Sequence, residues 1–191
     1  MKKINENGRS MVEMLGVLAI IGVLSAGGLA GYSKAMFKHK LNTTLDQITM
    51  LVTNIRTMYG TQDSYNDIDQ TIMGLGIVPS SMGTAYSKLV NPFKGSVTIE
   101  AKNATSSTTD TAFMVTYDGL PAEACIALAT ADWGGGAGSG FIGAGAGADA
   151  DAAQTAADAH YVGVNEGYSY SVSNAINACK TATNAVALKF Y

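Results

Sequence analysis

Charge is scarce in this chain. Only 14% of its residues are Asp, Glu, Lys or Arg, 12 basic against 15 acidic, and the net charge is -3. No basic field exists to hold nucleic acid, and no acidic tail to imitate it. Histidine is reduced to His39 and His160, neither with a Cys or His neighbour at zinc-ligand spacing, which excludes a zinc centre by that route. Proline never occurs between Met1 and Val78, so that stretch lacks the residue that most strongly breaks a helix. Cysteine occurs only at Cys125 and Cys179, so one bridge is the most the chain can form. A length of 191 residues gives room for one domain with an extension, and too little for a second full domain.

What the chain has instead is a long apolar run near its N-terminus. Residues 14–32 carry no charge, and a helix of that length spans about 28 Å, close to the thickness of a bilayer core. An ordinary secretory signal is the rival reading, with Ser25-Ala26-Gly27 as its cleavage site. Two features favour retention. Glu13 stands near the start of the apolar stretch, where an ionised carboxylate is costly unless it finds a partner, and a signal peptide has no use for it. The run also flows into Leu41, Leu45, Ile48, Val52, Ile55 and Tyr59, spaced by threes and fours, so membrane segment and amphipathic helix read as one rod. Lys2, Lys3 and Arg9 on one side balance Lys34, Lys38 and Lys40 on the other, and charge bias sets no orientation. Export leads to an oxidising compartment, where Cys125 and Cys179 are expected to bridge; two buried free thiols are the alternative.

The segment Gly8-Arg9-Ser10-Met11-Val12-Glu13-Met14-Leu15 resembles the class III signal of type IV prepilins, a short basic leader ending in Gly with Glu as the fifth residue after the cut. The resemblance implies that an inner-membrane prepilin peptidase cuts after Gly8 on the cytoplasmic side and methylates Arg9 as the new N-terminal residue. It also implies a filament with these helices at its centre. There the effective dielectric is low, and Glu13 of one subunit neutralises the amine of its neighbour and sets the axial register. Two departures stand out. The family usually carries a large apolar residue where this chain has Arg9, which offers Glu13 a second positive charge. The family's proline in the membrane half is also missing, and Gly22, Gly27, Gly28 and Gly31 cluster there instead, each costing about 1 kcal/mol of helix propensity relative to Ala. The cluster reads either as a weak point that extends locally in the filament or as small residues that let helices pack closely.

Gly60, Gly74, Gly76 and Pro79 end the helical pattern near residue 60. Residues 96–100 and 112–117 read as two strands of an antiparallel hairpin around the polar stretch 103–110. Pro121 opens a helical pattern that runs to residue 129 and carries Cys125. Residues 134–159 are rich in Ala and Gly and are expected to form a surface loop or irregular excursion, after which 161–164 and 168–172 resume strand character. Leu120-Pro121-Ala122-Glu123-Ala124-Cys125 and Ala129-Thr130-Ala131-Asp132-Trp133-Gly134 resemble the C-terminal region of type IVb and thin-pilus or conjugative pilins, where two cysteines close a loop that displays variable surface. The expected fold is therefore α+β, a long N-terminal helix packed on an antiparallel sheet with a disulfide-closed C-terminal region. Its parts are a leader at 1–8, a helix at 9–60 with 9–32 in the membrane or filament core, and a head at 61–191.

Signals for other chemistry are weak. Gly138-Ser139-Gly140-Phe141-Ile142-Gly143 matches a dinucleotide fingerprint by letter, but without a flanking buried strand and amphipathic helix the match means little in a Gly-rich tract. Asp149, Asp151 and Asp158 offer oxygen ligands for calcium, yet not at EF-hand spacing. A Cys125 nucleophile with His160 as base is conceivable on composition, and the disulfide reading outweighs it. Asn42 and Asn103 begin Asn-x-Thr triplets that arise readily by chance. Trp133, Tyr161, Tyr168 and Tyr170 fit an adhesive surface, though such aromatics more often fill a core.

The reading is thus a structural subunit, not an enzyme, with no cofactor and no metal. Its expected partners are copies of itself in a helical filament, the prepilin peptidase and the pilus assembly machinery of the bacterial inner membrane, which it leaves for an extracellular pilus. Adhesion, aggregation or conjugative contact are the expected roles. A pseudopilin of a type II secretion system and a minor tip adhesin are the alternatives, and the long Cys-closed C-terminal region argues for the pilin.

Overall fold

The computed structural model describes residues 7–134, 139–165 and 167–191, which fall into two compact units divided between Lys40 and Leu41. The described residues of the first unit are helical throughout. Helix α1, Asn7–Tyr59, supplies it, and Gly22, Gly27, Gly28 and Gly31 all adopt helical backbone. With no proline to remove a hydrogen bond, the glycines weaken the helix without breaking it.

In the second unit, the last turns of α1 bury Thr44, Gln47, Ile48, Leu51, Val52, Ile55 and Tyr59. Leu41 and Leu45, expected in that stripe, are only half-buried, and Leu51 is fully covered in their place. The buried line through Thr44, Ile48, Leu51, Ile55 and Tyr59 follows steps of four and three, and Leu45 lies at its flank.

The sheet has the order β1-β2-β4-β3, and every pair is antiparallel. The expected hairpin is present as β1, Val97–Lys102, and β2, Ala112–Leu120, with Ile99 opposite Val115. Strand β4, Asn184–Phe190, inserts between β2 and β3, Phe141–Gly147. No local pattern along the chain announces β4. All seven of its residues are buried, so the alternation that marks a half-exposed strand is missing, and a lysine interrupts its apolar run.

The two faces of the sheet pack differently. On one, Phe113, Phe141 and Phe190 form an aromatic chain that continues through Tyr65, 4.9 Å from Phe113 by ring centroids, to Tyr59 of α1. On the other, Met114, Ala185 and Ala187 meet Ala153 and Ala157 of α4, Ala150–Asp158. Here the expected surface loop at 134–159 is corrected, apart from residues 135–138, which lie outside the described residues. Most of the rest is β3, buried on all seven residues, and α4, pressed against it. The low complexity serves close packing. A Cβ on Gly145 would sit 2.0 Å from the Ala153 carbonyl oxygen and 2.3 Å from the Ala157 nitrogen, so only glycine lets α4 lie this near.

Residues 161–164 form a turn rather than a strand. From 168–172 only Tyr168 makes a bridge, to Gly143, while Val172 opens helix α5, Val172–Ala178. Helix α3, Ala122–Ala129, begins after Pro121 as expected, and the single helical turn α2, Ile68–Thr71, lies in the connecting segment.

Candidate functional site: the apolar helix and the disulfide-closed region

In the first unit α1 offers side chains suited to lipid or to other helices. Met11, Val12, Leu15, Leu18, Ile20, Ile21, Val23 and Leu24 are all more than half exposed. An 18-residue window of this helix has mean hydropathy 2.1, and none of it is buried within the chain. That is long and apolar enough to cross a bilayer. An ideal Cβ added at Gly22, Gly27, Gly28 or Gly31 would meet nothing within 4 Å, so no contact inside the chain requires these glycines. Glu13 is exposed at the head of the span, and no described basic group pairs with it. Gly8 and Arg9 have helical backbone, but their surroundings and the Arg9 side chain, like residues 1–6, lie outside the described residues.

The second element is the closed C-terminal region. Cys125 of α3 is bonded to Cys179, which caps the C-terminal end of α5, across a separation of 54 residues. Both cysteines are buried, and the bond leaves Cys125 no thiol to act as a nucleophile. Ser171 starts α5 by accepting from the Asn174 N–H.

A polar cluster that sequence reading missed ties the closed region to the last strand. Lys189 in the middle of the sheet is completely buried. Its ammonium donates to Asp158 Oδ1 at 2.8 Å and to the His160 carbonyl at 3.0 Å, and stands 4.5 Å from the centroid of the Tyr161 ring. It therefore satisfies backbone and carboxylate oxygens at the end of α4, where the helix dipole favours a cation. His160 stacks on Tyr168 with centroids 4.4 Å apart. Burial, and secondarily the Lys189 charge, hold its imidazole below the usual 6.5. The only signal in the sequence was a lysine inside an apolar run.

The remaining candidates are redirected. Asp149 caps α4 by accepting from the Ala152 N–H at 2.8 Å, and Asp158 is engaged by Lys189. Among the described residues no group of three or more His, Cys, Asp or Glu is placed to hold a metal. Phe141, Ile142 and Gly143 of the apparent dinucleotide fingerprint belong to β3, not to a strand-to-helix turn. Trp133, Tyr161, Tyr168 and Tyr170 are half-buried, with the Trp133 indole donating to the Leu128 carbonyl and the Tyr170 hydroxyl accepting from Ala146.

A helix apolar all round in its first part, whose last part seats on an antiparallel sheet, serves two environments with one element, and that arrangement is the type IV pilin fold. Solved structures bear this out. A type IVb pilin from Salmonella typhi matches with a TM-score of 0.52 at 19% identity, over 77% of this chain and 97% of that one. TcpA, a type IV pilin from Vibrio cholerae El Tor biotype, matches with a TM-score of 0.52 at 17% identity, over 80% and 99%. Sequence narrows the class: the Bundlin family model matches residues 34–190, and the chain belongs to that family. Similar proteins include the major structural subunits of bundle-forming pilus from Escherichia coli O127:H6 (strain E2348/69 / EPEC) and O111:H-. Each is 29% identical over 136 residues, 70% of this chain and 69% of the relative.

Proposed function

We propose that the chain is the precursor of a pilus subunit, organised as a leader at 1–8, a helix at 9–60 and a head at 61–191. It is cut after Gly8 by a prepilin peptidase, methylated at Arg9, held in the bacterial inner membrane by α1, and polymerised with copies of itself into an extracellular filament. The carrying observation is the uncovered apolar span of α1 in a chain of the Bundlin family. Such a surface needs lipid first and neighbouring helices afterwards. In that bundle Glu13 meets the amine and the Arg9 guanidinium of an adjacent subunit, and the Gly22 to Gly31 stretch is where the helix extends on assembly. The likeness to major structural subunits supports the pilin reading over a pseudopilin of a secretion machine or a minor tip adhesin. Adhesion, aggregation and conjugative contact are the roles such a filament would serve.

The N-terminal mass of the mature protein tests this. A chain beginning at methylated Arg9 is expected, whereas one beginning near Gly27 or Gly28 would mean an ordinary secretory cut and would end the proposal.

A further inference from the structure

Where the apolar span of α1 ends, its character changes within two residues. Tyr32, the last of the uncharged run, is 65% exposed, and the Ser33 hydroxyl donates back to the Leu29 carbonyl at 3.0 Å. A hydroxyl at the limit of a hydrocarbon layer needs such a partner within its own helix. Lys34 and Lys38 follow, both exposed, and neither pairs with an acidic group among the described residues. No Asp or Glu stands between Glu13 and Asp46, so this length of helix carries no counter-charge of its own. Like charges four residues apart on one helix face repel unless an anion stands between them. At 1.5 Å per residue Lys34 lies about 3 Å and Lys38 about 9 Å beyond Tyr32, and a headgroup layer is about 5 to 7 Å deep. The pair brackets the level of the lipid phosphates.

The same face continues into the span. Gly27, Gly31, Lys34 and Lys38 follow steps of four, three and four, which sets them on one side of α1. A Cβ added at Gly27 or Gly31 would meet nothing within 4 Å, so below the lysines the face is shallow and open.

We propose that the Lys34–Lys38 face of α1 is a docking surface for anionic phospholipid, with the phosphodiester between the two ammonium groups and an acyl chain along Gly27 and Gly31. It rests on the membrane-held stage of the proposed function and names the lipid chemistry of that stage. Charge selects this occupant over a second copy. Small residues four apart suit another helix, but subunits held in one membrane stand at the same depth. Packing two copies through Gly27 and Gly31 would set four lysines together at a level where α1 offers no carboxylate. An anionic headgroup supplies the missing charge at that level, and each lysine near such a surface adds to the attraction. A zwitterionic headgroup brings no net charge and gains no such preference.

The test places the full-length chain in phosphatidylcholine vesicles that contain a small share of phosphatidylglycerol with a photoreactive headgroup, and reads the cross-linked residues by peptide mass spectrometry. Labelling is expected over residues 32–38, about tenfold or more above that from phosphatidylcholine carrying the same photoreactive group. Lys34→Gln combined with Lys38→Gln is expected to lower it about tenfold. Lys88→Gln combined with Lys94→Gln, which takes the same charge from exposed positions of the head, is expected to leave it unchanged. Equal labelling by the two lipids, labelling that survives loss of Lys34 and Lys38, or an equal fall in the head variant would overturn the proposal. Each result reads lipid contact alone and leaves the cut after Gly8 to the N-terminal mass.

Discussion

His160 shows how one half-buried ring ties stability to acidity. It lies between β3, which presents only Gly143 beneath it, and the tail segment, which presents Tyr161, Tyr168 and Tyr170. The Lys189 cation comes from β4 and the Asp158 carboxylate from the end of α4. Because burial first and Lys189 second depress its pKa below 6.5, the folded head resists a proton that the unfolded chain accepts. The sign follows: the contribution is fully present above the unfolded value and is lost as pH falls through it, levelling off below the folded value. The melting temperature is expected to drop more between about pH 7.5 and about pH 5.5 in the parent than in His160→Gln. Equal drops would assign the acid sensitivity to other groups. Lys189 itself was readable as a residue but not as a partner. Nothing in its neighbourhood along the chain announces Asp158, because the contact joins the last strand to the end of a helix 31 residues earlier.

At the scale of elements, the contrast between the two sheet faces carries most of the head's architecture. Aromatic and branched side chains fill the face shared with α1, whereas β3 and β4 turn mostly glycine and alanine toward α4 so that helix and strand nearly touch. Gly145→Val is therefore expected to cost about 3 kcal/mol or more, measured as a shift in the denaturant midpoint. Gly74→Ala, where an added Cβ meets only an ordinary contact at 3.6 Å, is expected to cost far less and serves as the control. Comparable losses would show that glycine content, not proximity to α4, matters. This is also why the Ala/Gly tract reads as a loop in sequence. Its composition is the same whether the residues are small because nothing touches them or because everything does. In contrast, the β1–β2 hairpin and α3 were legible, since a polar turn and an N-terminal proline are local signals that tertiary contacts did not override.

For the whole molecule, the disulfide determines how the C-terminal region holds together. Closing a loop with a separation of 54 residues removes unfolded-state entropy worth about 4 kcal/mol in the chain-entropy model. Reduction is expected to lower the guanidinium midpoint accordingly and to raise amide exchange in α3 and α5 before the β1–β2 hairpin. Uniform loosening would mean that the bridge stabilises no particular region. The sequence by itself determined what depends on order along one helix: an uncharged stretch of bilayer length, Glu13 at its head, and an amphipathic continuation, all properties of periodicity and composition. It also placed two cysteines in an export-type chain, enough to expect their bond. Only the tertiary structure decided that the last strand lies at the centre of the sheet, that a glycine ridge receives α4, and that Lys189 is buried against Asp158. Those features join residues far apart in sequence, and no local pattern encodes which distant surface will be the one to cover them.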